Sequence, residues 1–146
     1  MKHTPSQTIL RIIGILQHIS GLVFMLFFGL IIYGLLKQDV NAQITVNGEV
    51  VFDLIKLLIN AVLLFVGGHI FKKVSKDASK HNSALTITLV IIAFEIFNFI
   101  TSLGIGIPTN LVGMIVSVVI NMVALFFISK TREAYIQYLH NKRKDS

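Results

Sequence analysis

Glu95 is the residue on which the chemistry of this chain would turn. It stands near the midpoint of 84–103, ALTITLVIIAFEIFNFITSL, a mainly apolar run of twenty residues. A run of that length crosses the roughly 30 Å hydrocarbon core of a bilayer. An ionised carboxylate at its centre costs roughly 2.5–3.5 kcal/mol on insertion scales, so Glu95 must be neutralised, partnered or used. Three other apolar runs carry polar side chains at helical spacing. Thr88, Glu95, Asn98 and Ser102 share one face of the third run, and Gly113, Ser117, Asn121 and Ala124 share one face of the fourth. The second run offers Asp53, Lys56, Asn60 and Gly67, and the first Gly14, Gln17, His18 and Gly21.

In an up-and-down bundle, Asn60, Glu95 and Asn121 fall within about one helical turn, ~5.4 Å, of a common level. The candidate intramembrane cluster is therefore Glu95, Asn60 and Asn121, with Asn98 on the Glu95 face and His18 nearer the basic side. Three uses of Glu95 stay open. It can exchange a proton and serve as a proton or cation site, or hydrogen-bond Asn60 or Asn121 in its neutral form and fasten the bundle at about 0.6 kcal/mol per bond. It can also lie on a surface that receives a partner subunit. His18, beside Gln17 and Ser20, is read as an interhelical hydrogen-bonding residue, since a lone histidine makes no metal site. Asp53 and Lys56, three residues apart and so on one helix face, read as an interfacial helix start on the outer side whose side chains can snorkel, or in a transporter as the lining of an outer mouth.

The elements that must position these residues follow from composition. The chain has 146 residues, 54% of them apolar and 14% charged, against roughly 25% charged in a soluble domain. The runs 12–36 and 109–129 contain no charged residue, which leaves no solvated face for a soluble helix. The expected fold is one all-α domain, an integral membrane four-helix bundle of antiparallel up-and-down topology. Its spans are 12–36, 51–71, 84–103 and 109–129.

Thr4-Pro5-Ser6-Gln7 reads as a helix start, with Thr4 as N-cap and Gln7 placed for a capping box. The loop 37–50 contains Ile44-Thr45-Val46, Asn47-Gly48 and Glu49-Val50-Val51, which suits either a short β-hairpin over an Asn-Gly turn or an ordinary polar loop. The segment 72–83 reads as a basic loop, with Asn82 or Ser83 capping the third helix. The link 104–108 is so short that the last two helices must form a tight hairpin. Beyond 129 the helical spacing of Tyr135, Tyr138 and Leu139 continues the fourth helix into a tail, 130–146.

Orientation follows from the basic residues. Lys2 and Arg11, the four lysines of 72–83, and Lys130, Arg132, Lys142, Arg143 and Lys144 place eleven of thirteen on one side of a four-span chain. Both termini are expected in the cytoplasm. Lys72, Lys73, Lys76, Lys80, Lys142, Arg143 and Lys144 are the candidate contacts for anionic lipid headgroups. The net charge of +6 is thus directed at membrane lipid and not at nucleic acid. A second copy of the chain or another membrane protein would be the protein partner. No nucleophile elbow, phosphate-binding loop, zinc motif or dinucleotide fingerprint occurs, and the five histidines are scattered, so neither enzymatic activity nor a cofactor or metal is expected. Without cysteine the chain has no disulfide or thiolate site.

The opening Thr8-Ile9-Leu10-Arg11-Ile12-Ile13-Gly14-Ile15-Leu16, the pair Lys72-Lys73 and a Gly- and Pro-containing link before Leu111-Val112-Gly113 resemble small four-span proteins of low-GC Gram-positive bacteria, a group of unknown function. The resemblance implies residence in a bacterial plasma membrane. Small multidrug resistance transporters share four helices and a membrane glutamate, but theirs resembles a first-helix site. Here the first helix carries His18 and no carboxylate. The expected role is a non-enzymatic accessory, assembly or immunity-type membrane component. The alternative is a small proton- or cation-coupled transporter or channel with Glu95 as its coupling site.

Overall fold

The computed structural model describes residues 4–37, 48–105 and 111–144. Four helices follow in order: α1 (Pro5–Lys37), α2 (Gly48–Lys76), α3 (His81–Ile105) and α4 (Leu111–Lys144), with one 3-10 turn, Ala78–Lys80, before α3. Among the described residues only Thr4 and Asp77 lie outside a helix. All four helices are long and apolar enough to cross a membrane.

The start of α1 and the turn before α3 have visible local causes. Pro5 supplies the fixed φ of a first helical position, and the Gln7 side chain accepts the Thr4 backbone N–H at 2.9 Å, which is one half of a capping box. The other half differs from the standard arrangement, because the Thr4 hydroxyl meets Ser6 Oγ at 2.9 Å. The basic segment 72–83 is not a loop. Helix α2 runs through Lys72 and Lys73 to Lys76, and Asp77 turns the chain by accepting the Ser79 backbone N–H at 3.0 Å and the Ser79 hydroxyl at 2.7 Å. Asp77 thus caps the 3-10 turn, and Asn82 and Ser83, expected to cap the third helix, lie inside α3. The lysines stay helical because they carry good helix propensity and project outward. Gly48, Glu49, Val50 and Val51 form the first turn of α2, so the second arm of the suggested β-hairpin does not exist. Residues 44–47 lie outside the described residues, as does most of the 104–108 link. The tail after 129 continues α4 without a break to Lys144.

The helices run alternately up and down in a ring, each packed on the next and α4 closing on α1. The pairs that meet show the antiparallel sense: Gly14 with Gly68 and Gly21 with Ala61, Ser6 with Thr131 and Gln17 with Asn121, His81 with Tyr135 and Glu95 with Ser117.

Packing is concentrated at one end. The core of Leu10, Ile13, Phe71, Val74, Ala84, Ala124 and Ile128 sits between the start of α1, the end of α2, the start of α3 and the tail half of α4. No α1 residue beyond Gly21 is buried, and no α2 residue before Ala61. Leu30 is 65% exposed and Leu36 80%. Most of the apolar surface on the outer faces is thus left uncovered by protein.

The seam between α1 and α2 depends on glycine. A Cβ added at Gly68 would stand 2.6 Å from the Gly14 carbonyl oxygen and 2.7 Å from the His18 nitrogen. One added at Gly21 would stand 2.8 Å from the Phe65 nitrogen and 2.9 Å from the Ala61 carbonyl oxygen. These are backbone atoms that cannot step aside, so the two helices approach this closely only because the residues are small.

Candidate functional site

Glu95 is half-buried on α3, and its partner is Ser117 of α4. The Ser117 hydroxyl donates to Glu95 Oε1 at 3.0 Å. One turn further along the same face of α4, Asn121 is almost fully buried and donates through Nδ2 to the Ser117 carbonyl at 2.8 Å. That bond fixes the amide plane and turns Asn121 Oδ1 toward α1, where it accepts Gln17 Nε2 at 3.1 Å. Gln17 is 5% exposed, and its Oε1 fills the space beside Gly67, where an added Cβ would stand 2.9 Å away. A continuous polar string therefore links α1, α4 and α3: Gln17, Asn121, Ser117, Glu95.

The string differs from the cluster expected on depth alone. Among the described residues neither Asn60 nor Asn121 hydrogen-bonds Glu95; the carboxylate meets Ser117, and Asn121 reaches across to α1. The α1 member is Gln17 and not His18, whose ring packs on Phe65 with centroids 4.0 Å apart while Nδ1 is buried without a hydrogen-bond partner among the described residues. Asn60 Oδ1 and Gln17 Oε1 are likewise buried acceptors without a partner among the described residues. Asn98 is half-buried one turn from Glu95, and Thr88, fully buried, satisfies its hydroxyl on the Ala84 carbonyl at 2.7 Å. Gln17 and Ser117 were both visible as members of the polar stripes. Only the rotation of the helices about their axes distinguishes them from their neighbours.

Asp53 and Lys56 form an ion pair, with Lys56 Nζ 2.7 Å from Asp53 Oδ1. Lys56 is more enclosed than a snorkelling lysine would be: its side chain is 11% exposed and its ammonium lies 4.9 Å over the Phe52 ring. On α2 the positions 53, 56, 60, 64 and 67 follow helical spacing, so this pair continues the face that carries Asn60 and the buried Leu64 and Gly67.

Lys37 closes the far end of α1, and most of the other basic residues gather at the packed end, where α1 starts, α2 ends, α3 starts and α4 ends. Lys72, Lys73 and Lys76 occupy the end of α2, Lys80 the 3-10 turn, and Lys142, Arg143 and Lys144 the last turn of α4. Asp77 is fully exposed there. Its hydrogen bonds from the Ser79 hydroxyl and backbone, with Lys80 nearby, hold its carboxyl below the ordinary value of 3.8. No group of three or more His, Cys, Asp or Glu able to hold a metal occurs among the described residues.

No protein family, characterised protein or solved structure matches this chain.

Proposed function

We propose that the chain is a non-enzymatic, four-span protein of a bacterial plasma membrane, with both termini in the cytoplasm. It acts as an accessory, assembly or immunity-type component through its lipid- and partner-facing helices. In this reading Glu95 fastens the bundle. The observation that carries it is the Ser117–Glu95 bond at the end of the string from Gln17, which gives the carboxyl a neighbour inside the protein and joins three helices. Membrane residence and orientation are supported by four sufficiently long, apolar helices and by the basic residues gathered at the end that holds both termini.

The alternative, a proton- or cation-coupled transporter with Glu95 as coupling site, draws on the buried oxygens of Asn60 and Gln17 that lack partners. Oxygen acceptors of this kind are the ligands hard cations take. The two readings separate in proteoliposomes. The fastening role predicts proton and monovalent-cation leak no faster than in protein-free liposomes, for the native chain and for Glu95→Gln alike. Flux that requires the native carboxyl and disappears in a folded Glu95→Gln variant would establish the transporter instead.

A further inference from the structure

A groove of about 270 Å³ runs along the outer seam between α3 and α4, lined by His81, Leu85, Leu89, Leu125, Ile128 and Arg132, with Ser129 at its edge. Its chemistry is graded along its length. On α3 the lining positions 81, 85 and 89 are four apart, and on α4 the positions 125, 128 and 132 recur at three and four. Because the helices are antiparallel, His81 lies level with Arg132, Leu85 with Ile128 and Leu89 with Leu125. The groove is polar and cationic at the end shared with both termini. It becomes wholly apolar over the next ~12 Å, the rise of eight helical residues.

The cationic end is available for a ligand. Lys130 is engaged by Glu133 at 3.0 Å, whereas Arg132 is exposed and has no ion-pair partner among the described residues. The His81 ring is fixed: Nδ1 lies 2.9 Å from the Ala78 carbonyl, an atom that only accepts, so Nδ1 carries the proton and Nε2 is left for other contacts. Leu85 and Leu89 are 38% and 51% exposed, so the apolar part opens sideways to the surroundings of the bundle, while Ile128 forms a buried floor.

We propose that this groove binds one anionic phospholipid. An acyl chain lies along Leu85, Leu89, Leu125 and Ile128, and the phosphate meets Arg132, with Ser129 and His81 at the headgroup. The proposal rests on the membrane reading above and adds a defined site to it. A guanidinium matches a phosphate in shape as well as charge, and the ordered change from cation to hydrocarbon is the polarity profile of one phospholipid entering from the leaflet on the side of the termini. The basic residues of α2 and of the α4 end lie outside this groove and would attract anionic lipid only as a diffuse field.

The test is native mass spectrometry of the full chain released from nanodiscs of equal parts phosphatidylglycerol and phosphatidylcholine. The native chain is expected to retain one phosphatidylglycerol. Arg132→Gln should reduce that retention about fivefold, the effect of one basic residue at the membrane surface. Leu89→Trp, which fills the apolar end, should also reduce it, whereas Arg11→Gln, the same charge change at an exposed position of α1 that does not line the groove, should leave it unchanged. Both groove variants replace exposed side chains, and circular dichroism verifies their helices. Retention unaffected by Arg132→Gln or Leu89→Trp, an equal loss in Arg11→Gln, or equal retention of phosphatidylcholine would overturn the site. So would a dimer that Leu89→Trp dissociates, which would assign the groove to a second copy of the chain. A carbonate wash of the membranes separates this failure from failure of the broader reading: extraction of the chain into the wash overturns membrane residence itself.

Discussion

Among single residues, the energetics of the polar string decide what Glu95 contributes. Interhelical hydrogen bonds within membranes average about 0.6 kcal/mol and reach about 1.7, because the separated helices also find partners in the bilayer. A double-mutant cycle between Gln17→Leu and Asn121→Leu should therefore give a coupling of about 0.6 kcal/mol in mixed-micelle unfolding, and a value indistinguishable from zero would remove the bond from the account. Glu95→Gln keeps an amide oxygen in reach of the Ser117 hydroxyl, so its stability should remain within about 0.6 kcal/mol of the native chain. Glu95→Leu leaves Ser117 without that acceptor and should be the less stable of the two. The sequence made Glu95 conspicuous because a single carboxyl in twenty apolar residues has few explanations. It did not disclose Ser117 as the partner. Depth can be counted in residues, but the angle at which α4 faces α3 is set by packing along the whole seam. Ser117 and Asn121 share a face, and only that angle decides which of them meets the carboxylate.

At the scale of elements, the seams and the turn make separate predictions. Gly68→Ala places a methyl group against the α1 backbone, so α1 and α2 must move apart, and overpacking of this kind costs about 1–3 kcal/mol. Gly29 and Gly34 have open space where a Cβ would stand, and alanine at either should leave stability unchanged or slightly raised, since alanine favours the helix. Equal melting of Gly68→Ala and Gly29→Ala in detergent would contradict the close seam. The Asp77 turn predicts a pH dependence. Its folded-state carboxyl titrates below the ordinary 3.8, so the stabilisation is present above that value and is lost as pH falls through the depressed one. Asp77→Asn retains an acceptor for Ser79 and should flatten the acid limb of the melting curve relative to the native chain. The effect is small because the group is fully exposed, and an unchanged acid limb would show that the turn does not couple to folding. The existence of four helices was legible from four long apolar runs, two of them without any charge, and the tail from its spacing. The Asp77 turn was hidden by its lysine-rich surroundings, which read equally well as a loop. Asn47-Gly48 suggested a hairpin, but Gly48 belongs to a helix whose later residues outweigh one turn-forming dipeptide.

Over the whole molecule the packing is unequal, and the two ends should respond differently to the same substitution. Phe71, Leu10 and Ile128 are enclosed at the end that holds both termini, while Leu26 and Leu30 face outward along the far half of α1. In water, truncating a buried Leu or Phe costs about 2–5 kcal/mol, part of it from lost transfer out of solvent and part from the cavity left behind. Where lipid replaces water the transfer part falls away, since acyl chains are as apolar as leucine, and the cavity and its lost dispersion contacts remain. Phe71→Ala, Leu10→Ala and Ile128→Ala should therefore fall at the low end, about 2 kcal/mol each, and Leu26→Ala and Leu30→Ala within about 0.5 kcal/mol of zero. Reversible unfolding in mixed micelles measures both sets. A soluble helical protein would give a different pattern: its outward leucines would be surface liabilities, so their replacement by alanine would improve solubility without detergent. If alanine at Leu26 and Leu30 costs as much as at Phe71, the far half of α1 is covered by protein in the native assembly. The accessory reading would then have its partner surface there, beside the outer half of α2 that carries Asp53 and Lys56.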